Sequence, residues 1–260
     1  MATPEVLFTS DGPIAFLTFN RPDTRNAMTW AMYDALARAC EDVERDERIR
    51  VFVLRAHGDA FVAGTDIRQF TAFATGKDGI EYERRMEAVI DRLERLMGPT
   101  IAQVQGVAAG GGCVIALTCD LRVCTPAARF GVPIARTLGN CLSAANYARL
   151  IDLVGPARTK DLLFTGRLVD AREAEALGLV TRLADPADID RVVRDLALAI
   201  AANAPITIRV TKEAMRRIAR GRRPTAGEDD DLIASCYASA DFHEGVSAFL
   251  EKRPPRFAGR

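Results

Sequence analysis

The segment 100–120, TIAQVQGVAAGGGCVIALTCD, combines residue types that could stabilise a developing negative charge. A strand-like apolar run over 101–107 leads into the glycine-rich patch 108–112, and the apolar run 113–119 is short enough for a buried helix. Glycines at a helix start cost backbone entropy, but they let another group approach the backbone closely. The first N–H groups of a helix lack intrahelical acceptors and carry the positive end of its dipole. The pattern therefore fits a site that binds an oxyanion.

Two other interpretations fit the same glycines. They could let a helix pack closely on a strand, with no ligand involved. They could also form a phosphate-binding loop, but the Lys followed by Ser or Thr that completes such a loop is absent from the sequence. Oxyanion stabilisation and close packing therefore stay open as the two alternatives for this segment.

The surrounding pattern is that of a mixed α/β protein. Apolar runs bounded by turn residues predict strands over 6–7, 14–19, 51–55, 121–124 and 179–183, with the first two joined as a hairpin. Apolar residues at helical spacing predict helices over 29–44, 80–97, 156–164 and 189–200. A capping box at Asp170 and Glu173 predicts a short helix that stops at Gly178. The segment 20–26 has the composition of a loop, and 130–146 is rich in turn residues.

The chain beyond Asp185 is predicted to be helical. A basic helix carries Lys212, a linker occupies 221–227, and Asp241 with Glu244 is predicted to cap a last helix over 242–252. The pattern indicates an α/β body of about 185–200 residues followed by a helical tail.

Composition excludes several classes of function. The chain has 260 residues, with 35 basic and 35 acidic side chains, so no net charge favours nucleic acid or an anionic membrane. No secretory signal and no apolar run long enough to span a membrane are visible. The six cysteines form no CxxC pair, and with only two histidines a metal site is not expected. These features predict a cytoplasmic protein with reduced thiols.

Five segments together carry a resemblance to a known family. They are NRPDTRNAM at 20–28, AFVAGTDI at 60–67, QGVAAGGGCVIALTCDLRV at 105–123, TGRLVDAREAEALGLV at 165–180 and HEGVSAFLEKRPPRF at 243–257. In this order and spacing they resemble the crotonase, or enoyl-CoA hydratase/isomerase, superfamily over nearly the whole chain.

The resemblance implies a fold, a substrate class and an assembly. The fold would be an α/β spiral of ββα repeats over 1–200, with a helical C-terminal trimerisation region over 201–260. The chains would form homotrimers or dimers of trimers. Acyl-CoA thioesters would be the substrates, with coenzyme A as part of the substrate and no separate cofactor. The backbone N–H groups of Thr65 and Gly111 would form an oxyanion hole that holds the thioester oxygen as it becomes an enolate.

The sequence departs from the family at the two glutamates that its hydratases use. These positions correspond here to Val114, which follows the glycines, and Ile134, which ends the motif FGVPI. Neither side chain can move a proton, and a positioned acid or base contributes about 10²–10⁴-fold in rate. Ordinary hydration is therefore disfavoured. Isomerisation is disfavoured too, because the family's single-glutamate isomerases carry their base at the position that is Ile134 here.

Other branches of the family take a catalytic acid from the turn that follows, so Asn140 and Ser143 are candidate catalytic residues. The nucleophilic aspartate of the dehalogenases falls on Asn140, and an amide is a poor nucleophile. Hydrogen bonding within the turn is the alternative role for both residues.

The resemblance also predicts residues that contact the substrate. They are Arg25, Ala27, Ala63, Asp66, Ile67, Arg68, Val114, Ile134, Phe249 and Lys252. Arg25 and Arg68 would meet the CoA phosphates. Helix N-capping is the alternative role for Asp66, and plain surface charge is the alternative for Lys252.

Three hypotheses follow for the function. The first is enolate chemistry that needs little side-chain acid–base work, such as decarboxylation of a malonyl-type thioester. The second is a hydratase or isomerase whose catalytic group comes from an unexpected place, such as Asp66 or a helix before Gly98. The third is a protein that binds CoA thioesters without turning them over.

Overall fold

The computed structural model of the chain describes residues 4–221, 227 and 229–258. Its strands are β1 (Val6–Asp11), β2 (Ile14–Phe19), β3 (Val51–Ala56), β4 (Thr100–Val104), β5 (Val107–Ala109), β6 (Leu121–Cys124), β7 (Arg129–Gly131), β8 (Val169–Asp170) and β9 (Arg182–Leu183). Its helices are α1 (Trp30–Arg45), α2 (Gly76–Arg95), α3 (Gly111–Thr118), α4 (Ile134–Thr137), α5 (Ala144–Thr165), α6 (Ala171–Ala176), α7 (Ile189–Ala201), α8 (Pro205–Arg220), α9 (Asp230–Tyr237) and α10 (Ala240–Leu250).

The strands form two sheets. One has six strands in the order β1-β2-β3-β4-β6-β9, all neighbours parallel except the β1–β2 hairpin. The other has three strands in the order β5-β7-β8. Parallel neighbours joined through intervening helices give the predicted spiral of repeats with a helical C-terminal region, so the predicted fold class is confirmed.

The single strand predicted over 101–107 is wrong, because the chain changes sheets within it. β4 pairs with β3 and β6, whereas β5 pairs with β7. Gly106 lies between β4 and β5 with φ +58°, and a side chain there would overlap the carbonyl oxygen of Asp59. Only glycine fits this corner without strain. The corner brings the glycine-rich patch against the loop that follows β3.

Several predicted boundaries also change. α2 begins one turn earlier than predicted, and α5 runs through 156–164 from Ala144 with a kink at Gly155. The turn-rich segment 130–146 contains β7 and α4, and β9 is shorter than predicted. The last helix is capped by Ser239 and not by Asp241, since the Ser239 Oγ accepts a 3.0 Å hydrogen bond from the N–H of Phe242. Most of the predicted linker, residues 222–226, lies outside the described residues.

The helix α9 lies in the part of the chain that was predicted to be helical, but no separate helix was predicted there, and it packs on α2. A side chain at Gly76 would overlap Ala234, and one at Gly79 would overlap the ring of Tyr237. These two glycines let α9 approach the α2 backbone closely, which places Tyr237 beside the core. No residue of α8, by contrast, is fully buried. The division of the chain at residue 200 stays a prediction.

None of the helices in the described part of the chain is long and apolar enough to cross a membrane. In the same residues, no three His, Cys, Asp or Glu side chains gather into a group that could hold a metal ion.

Candidate active site

A cavity of about 650 Å³ lies between the loop after β3, the start of α3, one face of α2 and the end of α10. Of the residues predicted for the site, all but Ser143 line it: Arg25, Ala27, Ala63, Thr65, Asp66, Ile67, Arg68, Gly111, Val114, Ile134, Asn140, Phe249 and Lys252. The structure therefore brings together residues that are widely separated in the sequence.

Among the described residues, the N–H groups of Thr65 and Gly111 have no hydrogen-bond partner. Thr65 forms a parallel bridge with Met28, in which the N–H of Met28 donates to Gly64 at 2.8 Å and that of Asp66 donates to Met28 at 2.9 Å. The N–H of Thr65 therefore points away from the bridge. Gly111 begins α3, so its N–H has no intrahelical acceptor. Within the described residues, neither N–H donates a hydrogen bond.

A second bridge holds the two segments against each other. The N–H of Val62 donates to the carbonyl of Val107 at 3.1 Å, and that of Ala109 donates to the carbonyl of Val62 at 3.0 Å. A β-carbon built on Gly111 would lie 3.3 Å from the Thr65 Oγ1. The two residues that carry the unpaired N–H groups are therefore close in space, although they are far apart in the sequence. Both are fixed by backbone hydrogen bonds before any ligand arrives.

The three glycines serve different purposes. A side chain at Gly112 would overlap Val62, which is the close packing of helix on strand considered above. Gly110 has φ +52°, a conformation that other residues rarely adopt, and its N–H donates to Gly131 at 3.0 Å. Gly111 faces the cavity. The two interpretations of this segment are therefore compatible, with packing assigned to Gly112 and the free N–H to Gly111.

Two tyrosine hydroxyls surround the Thr65 side chain. The Tyr33 hydroxyl lies 2.8 Å and the Tyr82 hydroxyl 3.0 Å from the Thr65 Oγ1. Burial raises the pKa of Tyr33 to about 12, so its phenol stays protonated at neutral pH. This cluster holds the Thr65 loop against α1 and α2.

The two positions that the resemblance aligns with the hydratase glutamates are apolar surfaces of the cavity. Val114 is buried and Ile134 is half-buried. Among the described residues that line the cavity, only Asp66 and Glu83 carry carboxyl groups. The chemistry available to the site depends on the state of these two groups.

Asp66 is held as an anion. Its side chain caps the short 3-10 helix Ile67–Phe70 and accepts hydrogen bonds from Arg68 at 3.0 and 2.6 Å, with Arg21 at 3.4 Å. The hydrogen bonds from Arg68 lower the pKa of Asp66. These contacts match the capping role considered from the sequence, and they oppose a role for Asp66 as proton donor.

Glu83 on α2 is the acidic residue that the sequence analysis did not single out. Its side chain is 5% exposed, accepts a 2.7 Å hydrogen bond from the Tyr237 hydroxyl and a 3.1 Å hydrogen bond from the N–H of Ser143. Burial raises the pKa of Glu83 to about 8. A signal existed in the sequence, because Glu83 precedes Met86 by three residues and Ile90 by seven and so shares their apolar face.

The two candidate catalytic residues of the turn both contact the Glu83 network. Asn140 lines the cavity, and its amide nitrogen donates to the Tyr237 hydroxyl at 3.1 Å. Ser143 does not line the cavity. It caps α5, its N–H binds Glu83, and its hydroxyl donates to Glu87 at 2.9 Å. The structure thus places Ser143 as a helix cap, in keeping with the hydrogen-bonding role considered as its alternative. Its catalytic role stays a prediction.

The rim of the cavity carries positive charge. Arg25, Arg68 and Lys252 are exposed, and Phe249 is 54% exposed beside them. The backbone of Arg25 is left-handed, with φ 50°, and its carbonyl accepts a hydrogen bond from the N–H of Ala63 at 3.0 Å. The rim therefore offers cations and an aromatic surface while the interior offers apolar walls and two free N–H groups.

Comparisons with known proteins show the family of this chain. A profile of the enoyl-CoA hydratase/isomerase family matches residues 9–260. A short-chain-enoyl-CoA hydratase of Clostridium acetobutylicum is 32% identical over 255 residues, covering 97% of this chain and 97% of that protein. The crystal structure of an enoyl-CoA hydratase/isomerase from Pseudoalteromonas atlantica T6c is 31% identical, with a TM-score of 0.86, and the match covers 98% of this chain and 100% of that one. A methylmalonyl-CoA decarboxylase in complex with 2-nitronate-propionyl-CoA is 26% identical, with a TM-score of 0.89 over 100% of both chains. The chain therefore belongs to the enoyl-CoA hydratase/isomerase family, the crotonase superfamily.

Proposed function

We propose that this chain is a cytoplasmic enzyme that stabilises the enolate of an acyl-CoA thioester between the N–H groups of Thr65 and Gly111. The observation that carries the proposal is that these two N–H groups have no partner among the described residues and belong to neighbouring residues of one cavity. Preorganised donors of this kind stabilise an oxygen as it gains charge. Coenzyme A would enter as part of the substrate, with its phosphates near Arg25 and Arg68 and its remaining length near Phe249 and Lys252.

A homotrimer, or a dimer of trimers, is part of the proposal. It is supported by the resemblance and by the exposed apolar side chains of α8, which include Ile206 and Met215 at 65% and 67% exposure. Exposed apolar groups along one helix are typical of an interface.

The stretching frequency of the thioester carbonyl tests the proposed oxyanion hole directly. A saturated acyl-CoA labelled with ¹³C at its carbonyl is bound to the protein, and its infrared band is compared with that of the free thioester. Two donors at the oxygen lower the frequency, because they weaken the double bond. A bound thioester whose carbonyl absorbs where the free one does would overturn the proposal.

Ordinary hydration should be weak. Because Val114 and Ile134 stand where the family hydratases carry glutamates, we expect turnover of crotonyl-CoA to be more than tenfold below that of a hydratase with both glutamates, since each lost group is worth about 10²–10⁴-fold. Loss of the enoyl absorbance at saturating substrate measures this rate. The comparison enzyme, assayed in the same buffer, serves as the control, and a rate within tenfold of it would contradict the expectation.

Decarboxylation is a second candidate function. The apolar walls at Val114 and Ile134 disfavour a bound carboxylate, and loss of CO₂ from a malonyl-type thioester generates the enolate without a base. A relative with that activity in its name matches the whole chain. Incubation with a panel of malonyl-type and enoyl thioesters, with CO₂ and product masses as the readout, separates this candidate from hydration. Binding without any product would instead support a non-catalytic CoA-thioester protein.

A further inference from the structure

We propose that Glu83 is the catalytic residue that exchanges a proton with the α-carbon of the bound thioester, in place of the two missing glutamates. The proposal rests on the proposed function, since the α-carbon becomes basic only when the thioester oxygen is held as an enolate. It assigns the acid–base role to a residue of α2, whereas Val114 lies on α3 and Ile134 on α4.

The position of Glu83 on α2 places it beside the two free N–H groups. Tyr82, the preceding residue, contacts the Thr65 Oγ1 at 3.0 Å, so this turn of α2 lies against the Thr65 loop. Glu83, Met86 and Ile90 line the same cavity as Thr65. A thioester whose oxygen sits between the two N–H groups therefore presents its acyl chain to this face of α2. Glu83 is the polar group on that face, with Met86 and Ile90 as its apolar neighbours.

The partners of Glu83 suit a group that changes its charge. When Glu83 is ionised, the Tyr237 hydroxyl donates to it, and the Tyr237 oxygen accepts from the Asn140 amide nitrogen, as observed. When Glu83 is protonated, its O–H donates to Tyr237, whose hydroxyl then turns toward Asn140. The Asn140 Oδ1, which is buried and has no partner among the described residues, becomes the acceptor after a rotation of the amide. The hydrogen bond between Glu83 and Tyr237 is thus kept in both protonation states of Glu83.

The electron pair of the enolate double bond forms a new bond between the α-carbon and the Glu83 proton, and the O–H bond of Glu83 breaks. The charge on the thioester oxygen collapses to restore the carbonyl. Glu83 is left as a carboxylate, which the Tyr237 hydroxyl and the Ser143 N–H stabilise by hydrogen bonds. Water reprotonates it after product leaves, and the reverse sequence removes an α-proton.

The test measures exchange of the α-protons of butyryl-CoA with D₂O, followed by mass spectrometry. We expect the Glu83→Gln variant to exchange roughly a hundredfold more slowly than the parent. Gln fits the same contacts, because its amide donates to Tyr237 and accepts from Ser143, so the variant should fold and bind the thioester with an affinity within about threefold of the parent. Glu81→Gln removes an exposed carboxylate from the same helix and should exchange at the parent's rate.

The carbonyl frequency separates the two proposals. Glu83→Gln should keep the lowered thioester frequency while it loses exchange. Exchange that is unchanged in Glu83→Gln, or absent from a parent that does lower the frequency, overturns the role of Glu83 and leaves the oxyanion hole standing. A parent that does not lower the frequency overturns the proposed function. Tyr237→Phe provides a second test, because it removes the hydrogen bond to Glu83 but leaves the Glu83 carboxyl in place. In this variant the exchange of the α-protons of butyryl-CoA should fall about tenfold, and the thioester should still bind.

Discussion

Replacement of Gly111 by proline should lower the rate of enolate formation by about 10²–10³-fold when it is compared with alanine at the same position. Proline removes the N–H that we assign to the oxyanion hole, whereas alanine keeps it. The family resemblance and the unpaired N–H at the start of α3 both lead to this expectation.

Both substitutions need a Tyr33→Phe background. A β-carbon on Gly111 would lie 2.5 Å from the Tyr33 hydroxyl, but the ring carbon that carries that hydroxyl is 3.8 Å away. Removing the hydroxyl therefore makes room for either side chain. Proline is well tolerated at the first position of a helix, where the N–H is unpaired. Gly110, with φ 52° and ψ −124°, has the mirror image of the extended conformation that precedes proline, and glycine adopts it freely.

The measurement is α-proton exchange at saturating butyryl-CoA for the two double variants, with Tyr33→Phe alone as the common reference. Circular dichroism and thermal melting verify that both fold. Equal exchange rates in the proline and alanine variants would show that the N–H of Gly111 does not act on the thioester, and the glycines would then serve packing alone.

The stability of the protein should fall as the pH rises from about 5 to 9, through the ionisation of Glu83. Its pKa is 4.5 in the reference state and about 8 when folded, with burial as the leading cause. The folded protein therefore holds this proton more tightly than the unfolded chain. The contribution of this proton to the free energy of unfolding is fully present below the pKa of Glu83 in the unfolded chain. It is lost as the pH rises through the pKa of Glu83 in the folded protein. The full loss corresponds to roughly 5 kcal/mol.

Glu83→Gln isolates this contribution, because its side chain does not titrate. Urea unfolding at pH 5.5, 7 and 8.5 should give a free energy that falls with pH in the parent and changes much less in the variant. The difference between the pH profiles of the parent and the variant measures the effect of Glu83 alone, because the other titratable groups near it are present in both proteins. These groups are Tyr33, Tyr82, Glu87, Cys141, Tyr147, Asp229 and Tyr237. Parallel pH profiles for the parent and the variant would contradict the expectation.

The sequence was sufficient for features that are local. The glycines around Gly111 and the segment that ends in Thr65 and Asp66 are contiguous motifs, so their place in one cavity followed from the family pattern. The apolar residues Val114 and Ile134, which the resemblance aligns with the hydratase glutamates, could also be named without a structure. The helices with a clear apolar face, such as α1 and α7, were predicted nearly to their ends.

Features that depend on distant contacts were not accessible in this way. The spacing of Glu83 from Met86 and Ile90 indicates that it lies on the apolar face of α2, but its partner Tyr237 follows it by 154 residues and becomes evident only in the structure. The break at Gly106 is set by the carbonyl of Asp59 and not by local composition. Ser143 was a catalytic candidate because its turn is polar, but the composition of the turn does not reveal that it caps α5 and donates its hydroxyl to Glu87.

The two backbone bridges have a consequence for amide hydrogen exchange. The N–H groups of Met28, Asp66 and Ala109 are held in backbone hydrogen bonds, so they should exchange slowly with D₂O. The N–H groups of Thr65 and Gly111 lie close to them in the chain but have no acceptor in the described part of the structure, so they should exchange fast within a protected region. A bound acyl-CoA would supply the acceptor, and protection should then appear at these two amides while their neighbours change little.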